Sequence, residues 1–512
     1  MLTLGIALLS LIAVRIGPRP VRRLGLEVLA WRPHPALATL ALGALLLTLT
    51  RLALLFSGPH LVYGSDSGSY LITLKWLTGH APWAIESEHW RPPLMGLLLL
   101  PSTWALGDLA GSRFVALMLS TLPGFTAYYL ARQFNVSAWW AALAGLVLML
   151  LPLTAQTTAT NQITLPATAL ALWALVAMIQ IGEGKGRIWH LAPPVFLLVG
   201  LNQTTAGVFA IMAVTMLVLA RDRWRLVKAL ALATLAASAW AWFYWTAIPG
   251  GTQLYNPDAL LLMALPSPRT ILLWLPIFLL FLLRPRERAV GYLFVTGTVL
   301  MVLAHVALNN VPINNVLDRG IRVLSGLSAV AIALLAYHGW EYLHAHKSKA
   351  VQFATAGAAA LILVGAGVLW HTTFNQWAST FNFVSADSLS ALQWLKSETP
   401  KDTKVMAFPD ALGWYVGGLG ERNWVSYKGM GVARYVPEDK AFACAVGWTA
   451  DCDPTALARN HGIEYLVIDR SSWQATLGNW DKLDYATWVR EVRTWGQVSV
   501  YAFGKEDSDG AE

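Results

Sequence analysis

The chain has 512 residues, 56% of them hydrophobic and only 13% charged, against roughly 25% charged in soluble domains, which excludes an ordinary soluble enzyme, a disordered scaffold and a nucleic-acid-binding domain. The formal charge of +8 is unevenly spread: residues 1–376 hold 24 basic and 11 acidic side chains, residues 377–512 hold 13 and 18. A basic, apolar first part is therefore joined to an acidic, polar second part, and the positive charge belongs to membrane topology.

A helix needs about 20 apolar residues to cross a bilayer, within a range of roughly 17 to 25. In chain order, apolar runs lie near 1–15, 36–57, 111–131, 137–153, 163–181, 190–204, 206–220, 228–247, 270–283, 289–307, 321–338 and 350–371. They predict an all-α polytopic membrane domain of about twelve spans over residues 1–376. Residues 1–14 carry positive charge after the apolar run and lack a small-x-small cleavage pattern, so they read as a retained first helix. The shorter run at 93–106 reads as a re-entrant or interfacial helix. Alternate threading of the others then puts 17 Lys and Arg on one side and six on the other. Cytoplasmic loops collect positive charge, so both termini and the loop 58–110 are expected outside the cell membrane. Trp83, Trp90, Trp242, Trp245 and Trp370 fall near predicted outer ends, as interfacial aromatics do.

Residues 377–512 read as a small extracytoplasmic α/β domain. Ser385-Ala386-Asp387 before the spaced Leu389, Leu392, Trp394 and Leu395 predicts a capped helix. Residues 404–408 read as a strand, 411–419 and 455–460 as helices, 463–468 as a buried strand, 485–495 as a helix and 498–503 as a last strand, an alternation that argues for α/β layers. Gly413, Gly417, Gly418 and Gly420 lack dinucleotide-binding spacing. The only two cysteines, Cys444 and Cys452, are expected to form a disulfide in an oxidising compartment.

The first part is so poor in acids that each predicted outer carboxylate stands apart: Asp66, Glu86, Glu88, Asp108, Asp258 and Asp318. Asp66 lies in Gly64-Ser65-Asp66-Ser67-Gly68-Ser69-Tyr70, followed by Leu71, Leu74, Trp76 and Leu77. This predicts an amphipathic helix lying on the outer membrane surface with a carboxylate at its start, there either to cap the helix or to do chemistry. The loop continues through Glu86, Glu88, His89, Trp90 and Arg91 into Pro92-Pro93-Leu94, then Leu106-Gly107-Asp108. An acid with a Tyr four residues on, a Gly-rich turn, a basic residue before proline and a short apolar run ending in Gly resembles the first outer loop of the glycosyltransferase-C (GT-C) superfamily. The likeness is greatest to its protein O-mannosyltransferase and lipid A aminoarabinose transferase branches. It extends to Asp318-Arg319-Gly320-Ile321-Arg322 at the start of a late helix, and to a phrase from Leu392 to Pro400.

The resemblance implies an integral membrane enzyme that takes a sugar from a polyprenyl-phosphate carrier. Asp66 matches the catalytic carboxylate of such families, and Arg91 the basic residue that contacts the carrier phosphate. Ser67 follows Asp66 where the family often has a second acid. Thr157 to Gln162 stands where many members carry another Asp, which leaves Asn161 to keep a hydrogen-bonding part of that role and a divalent metal without support. No cofactor is assigned. The chemistry is coherent without the family: the leaving phosphate is already ionised, so one carboxylate can act as base toward an acceptor hydroxyl while Arg side chains hold the phosphate. Direct displacement would invert the anomeric centre. Tyr70, Glu88 and Arg322 complete the candidates for substrate contact, Glu88 competing with a solvated role and Arg322 with a headgroup contact. Arg51 falls inside a predicted span, where charge is expensive and often functional.

The expected partners are the lipid-phosphate sugar, membrane lipid and an acceptor lipid, protein or glycan, with no nucleic acid. An oligosaccharyltransferase would carry a Trp-Trp-Asp signature that Gly447-Trp448-Thr449-Ala450-Asp451 does not supply. A transporter or flippase is the rival of another class. It would place ionisable residues near the bilayer midplane in two related halves, whereas here the acids gather in one loop.

Overall fold

The computed structural model describes residues 34–57, 60–63, 66–80, 93–160, 164–247, 268–305, 311–346, 357, 364–373, 375–376, 382–408, 410–424, 454–471 and 489–503. The first predicted span and both cysteines lie outside these.

The described apolar runs fold as helices. Helix α1 (Pro35–Ser57) is followed by a short strand, β1 (His60–Tyr63), and by α2 (Asp66–Leu77) and α3 (Pro93–Leu106). The expected span at 111–131 divides into α4 (Asp108–Leu119) and α5 (Leu122–Arg132), because Pro123 in the first turn of α5 has no N–H to continue the preceding ladder. Then come α6 (Ala138–Leu150), α7 (Pro152–Thr160), α8 (Thr164–Gly182), α9 (Ala192–Leu201), α10 (Gln203–Leu219), α11 (Arg223–Ala247), α12 (Pro268–Leu283), α13 (Arg288–His305) and the long α14 (Val311–His346).

Helix α8 is the hub, buried along nearly its whole length and packed on α5, α9, α10 and α14. Close approach replaces bulk at its neighbours: a Cβ on Gly145 of α6 would stand 2.6 Å from the Gly124 carbonyl oxygen of α5, the small-residue packing that suits helices in lipid. Leu42, Leu45, Leu46 and Leu49 of α1 face outward, as a lipid-facing side requires. Among the described residues, Asp108–Arg132, Thr164–Gly182 and Arg319–Ala345 are long and apolar enough to cross a membrane, with several shorter apolar helices around them.

The C-terminal part holds β2 (Asn382–Ser385), α15 (Ala386–Glu398), β3 (Lys404–Phe408), α16 (Asp410–Gly418), β4 (Asn423–Trp424), α17 (Pro454–His461), β5 (Ile463–Asp469), β6 (Val489–Trp495) and β7 (Val498–Phe503). The Ser385 side chain caps α15 by accepting from the Ser388 N–H at 3.0 Å, as its sequence suggests. The sheet order is β4-β3-β5-β7-β6, parallel among β4, β3 and β5 and antiparallel at β5–β7 and β7–β6.

Of the helix expected over 485–495, the described residues form a strand. Val489, Val492 and Trp495 are spaced by three, which reads as helical, yet they form β6. The register with β7 shifts between Glu491 and Arg493, so a bulge absorbs the odd spacing. Gly496, at φ 54°, makes the tight return to Val498. A second small sheet ties the two parts together: β1 pairs antiparallel with β2, His60 facing Ser385 and Tyr63 facing Asn382.

Candidate active site

Helix α2 starts at Asp66. The Asp66 side chain, and all of Glu86, Glu88, Arg91, Asn161 and Asp258, lie outside what is described, as do the side chains of Arg269 and Asp318. The surroundings of α2 differ from the expected surface helix. Tyr70, Leu71 and Leu74 belong to the main helical core, while Ile72 packs on Trp76 and Trp414. Both sides of α2 are thus covered, one by the bundle and α3, the other by α16 of the C-terminal part. Its apolar residues occur on all faces over 70–74, so no single wet face exists over that stretch.

Glycine allows this packing. A Cβ on Gly68 would meet the Trp414 backbone, and one on Gly418 would stand 2.8 Å from the Gly68 oxygen. The glycines of 413–420 thus include contact points between helices.

The charged end of α2 is bound on two sides. Lys75 Nζ lies 2.6 Å from Asp108 Oδ2 and 2.9 Å from Glu421 Oε1; Lys396 of α15 reaches the same Glu421 oxygen at 3.0 Å. Burial works against charge on Lys75, but its hydrogen bonds to Asp108 and Glu421 and their negative charges outweigh it and raise its pKa. Burial likewise opposes ionisation of Glu421, and the hydrogen bonds and charges of Lys75 and Lys396 overcome it and lower its pKa. Asp108 also sits in the first turn of α4, where the helix dipole favours a carboxylate. Sequence reasoning picked out Asp108 as an outer acid but missed Lys75 and Glu421 as its associates. A charged residue closing a glycine-rich turn was the one available signal.

Arg322 lies on α14 and is 8% exposed; its Nη1 donates to the Leu153 carbonyl at 3.3 Å. One turn earlier, Arg319 Nη1 donates to Thr164 Oγ1 at 2.7 Å. The two arginines therefore hold the two ends of the segment 153–164 that contains Asn161. A cavity with room for about one water lies among Thr154, Thr157, Thr168, Arg322 and Ser325. The structure thus makes Arg322 a brace for α7. Tyr70 is buried within the main helical core. Among the described residues no three His, Cys, Asp or Glu side chains gather in a way that could hold a metal ion.

The sequence matches no family model and no curated protein. Solved structures do resemble the fold. The oligosaccharyltransferase of Archaeoglobus fulgidus, tethered to an acceptor peptide, superposes at TM-score 0.57 with 13% identity, over 85% of this chain and 69% of that one. ArnT of Cupriavidus metallidurans bound to undecaprenyl phosphate superposes at 0.56 with 15% identity, over 92% and 98%. The mycobacterial arabinofuranosyltransferase AftD gives 0.56 and 15%, over 92% of this chain and 40% of that one. The chain has a GT-C-like fold. Within it, the coverage of ArnT extends over nearly both whole chains, so the GT-C-like likeness includes the C-terminal part as well as the helices.

Proposed function

We propose that this chain is an integral membrane glycosyltransferase that moves a sugar from a polyprenyl-phosphate carrier to an acceptor hydroxyl on the outer face of the cell membrane. The observation that carries the reading is the GT-C-like fold with Asp66 at the N-terminus of a helix enclosed between the bundle and the C-terminal part. The carrier is inferred from the undecaprenyl phosphate bound to ArnT and the dolichol phosphate in the archaeal enzyme.

In this reading Asp66 is the base that takes the proton of the attacking hydroxyl. Arg91 holds the carrier phosphate through charge-assisted hydrogen bonds, strengthened where lipid excludes water. Arg322 braces the segment 153–164 that carries Asn161, and Glu88 flanks the acceptor path. The bond from the anomeric carbon to phosphate oxygen breaks as the acceptor oxygen bonds to that carbon, with inversion, and the phosphate leaves with the electron pair. With about twelve spans both termini share one side, which the Lys- and Arg-poor loops make the outside; residues 377–512 form the extracytoplasmic domain, and Cys444 and Cys452 pair there.

The test uses purified full-length protein in lipid nanodiscs with a panel of undecaprenyl-phosphate hexoses and pentoses, scored for hydrolysis and transfer by mass spectrometry. At least one sugar should be released by the wild type and none by Asp66→Asn. Undiminished turnover by Asp66→Asn removes Asp66 as base, and no turnover with any donor removes the transferase reading.

A further inference from the structure

We infer that Glu421 is a positioning residue for Asp66, a role that rests on the proposed reading of Asp66 as base: its carboxylate locks helix α2 in place through Lys75.

Glu421 and Asn135 are the non-glycine residues with positive φ among those described, at 52° and 58°. This backbone region suits glycine, and a bulky residue held there points to a side chain that is needed. Its side chain is 7% exposed and its carboxylate meets two ammonium groups, Lys75 and Lys396. Through Lys75 it also connects with Asp108 of α4, so one carboxylate joins α2, α4 and α15.

The mount for this carboxylate is rigid. The next residue, Arg422, donates from Nε to Thr399 Oγ1 at 2.7 Å and from Nη2 to the Lys396 carbonyl at 2.6 Å, which fixes the turn to the end of α15. At the other end of α2, Gly68 touches Trp414 and Gly418. That close contact holds the start of α2, while the charged pair holds its far end. Sliding and rotation carry Asp66 as far as they carry Lys75, because a helix moves as a rod of 1.5 Å per residue. Anchoring Lys75 therefore anchors Asp66, although roughly 13 Å of helix separates them.

Hydrogen exchange and turnover on the full chain in nanodiscs test this together. In Glu421→Gln, amides of 66–77 should exchange several-fold faster. Release from the undecaprenyl-phosphate sugar that the wild type accepts should lose about tenfold in kcat with donor KM unchanged, a smaller loss than the ~100-fold that a 1 Å misplacement can produce. Lys75→Met should reproduce both effects, with the double variant no worse than either single one. Glu421→Gly relaxes the backbone yet removes the carboxylate, so it should fail as Glu421→Gln does; wild-type behaviour there would assign residue 421 to the turn alone and overturn the inference. Unchanged exchange over 66–77, or a loss lying wholly in donor KM, would also overturn it. Wild-type protein without turnover refutes the transferase reading instead, while the exchange rates still decide whether Glu421 holds α2.

Discussion

Gly68 of α2 lies so close to Trp414 of α16 that a Cβ built on it would stand 2.6 Å from the Trp414 Cβ and 2.7 Å from its carbonyl carbon. Two residues from the proposed base, the chain thus touches a helix more than 340 positions further on. The β1–β2 ladder and the Lys75–Glu421 pair make the same junction at two other points. The C-terminal part is in this sense a wall of the candidate site.

Gly68→Ala should open that junction. The nearest atoms include backbone, which cannot rotate away, so helices α2 and α16 must separate at a cost of about 1–3 kcal/mol. A fall in the thermal midpoint of the purified protein, with turnover reduced more than in Gly339→Ala, is the expected result. A methyl group added at Gly339 of α14 would meet nothing within 4 Å, so its alanine variant should be neutral or slightly stabilised.

Acid should loosen the junction and mild alkali should not. The Glu421 carboxyl sits below its ordinary 4.5 in the folded chain, so its contribution is complete above 4.5 and is lost as pH falls through the lowered value. Lys75 is raised above its ordinary 10.5, so its contribution is complete below 10.5 and lost only as pH rises through the raised value. Thermal midpoints followed by tryptophan fluorescence should stay flat between these limits and decline at lower pH. Glu421→Gln should remove part of that acid decline.

What could be read in the sequence follows from what each signal depends on. Helices α1, α8 and α10 to α13 announce themselves because lipid demands an unbroken apolar run, and α15 because its cap lies within three residues. Strand β6 misleads because its bulge gives Val489, Val492 and Trp495 a helical spacing. The enclosure of α2 is invisible locally: Leu71 and Ile72 read alike whether a neighbour or lipid covers them. Glu421 offered only its place after a glycine-rich turn, since its importance comes from Lys75 and Lys396, which only the fold brings near. Asp66 was legible as the acid at a helix start, but its chemical role remains a proposal, as do those of Arg91 and Asn161.

Arg319 and Arg322 brace opposite ends of one segment, 153–164, through Thr164 and the Leu153 carbonyl. Removing either guanidinium should cost about 1.5–3 kcal/mol, the range for hydrogen bonds to charged groups. Because both act on one segment, Arg319→Ala with Arg322→Ala should lower stability by less than the two single losses added together. Chemical denaturation of the four variants forms the cycle; strict additivity would mean that the two arginines act on independent parts.

Arg51 is fully buried in α1, donates to Ser120 and lies 4.4 Å over the Trp370 ring. Trp370, expected at the interface, is instead packed inside at 2% exposure, whereas Trp242 is largely exposed. Among the described residues, Arg51 Nε and Nη2 have no hydrogen-bond partner. A buried cation that meets only a ring and a hydroxyl among the described residues gains little from its charge, and replacing buried ions with apolar groups of similar size is often neutral or stabilising. Arg51→Met should therefore leave the thermal midpoint unchanged or raise it. Arg51→Ala should lower stability by about 2–4 kcal/mol through the cavity left between α1 and Trp370. A loss in Arg51→Met as large as in Arg51→Ala would show that the charge itself is needed, and would point to an anion held against it.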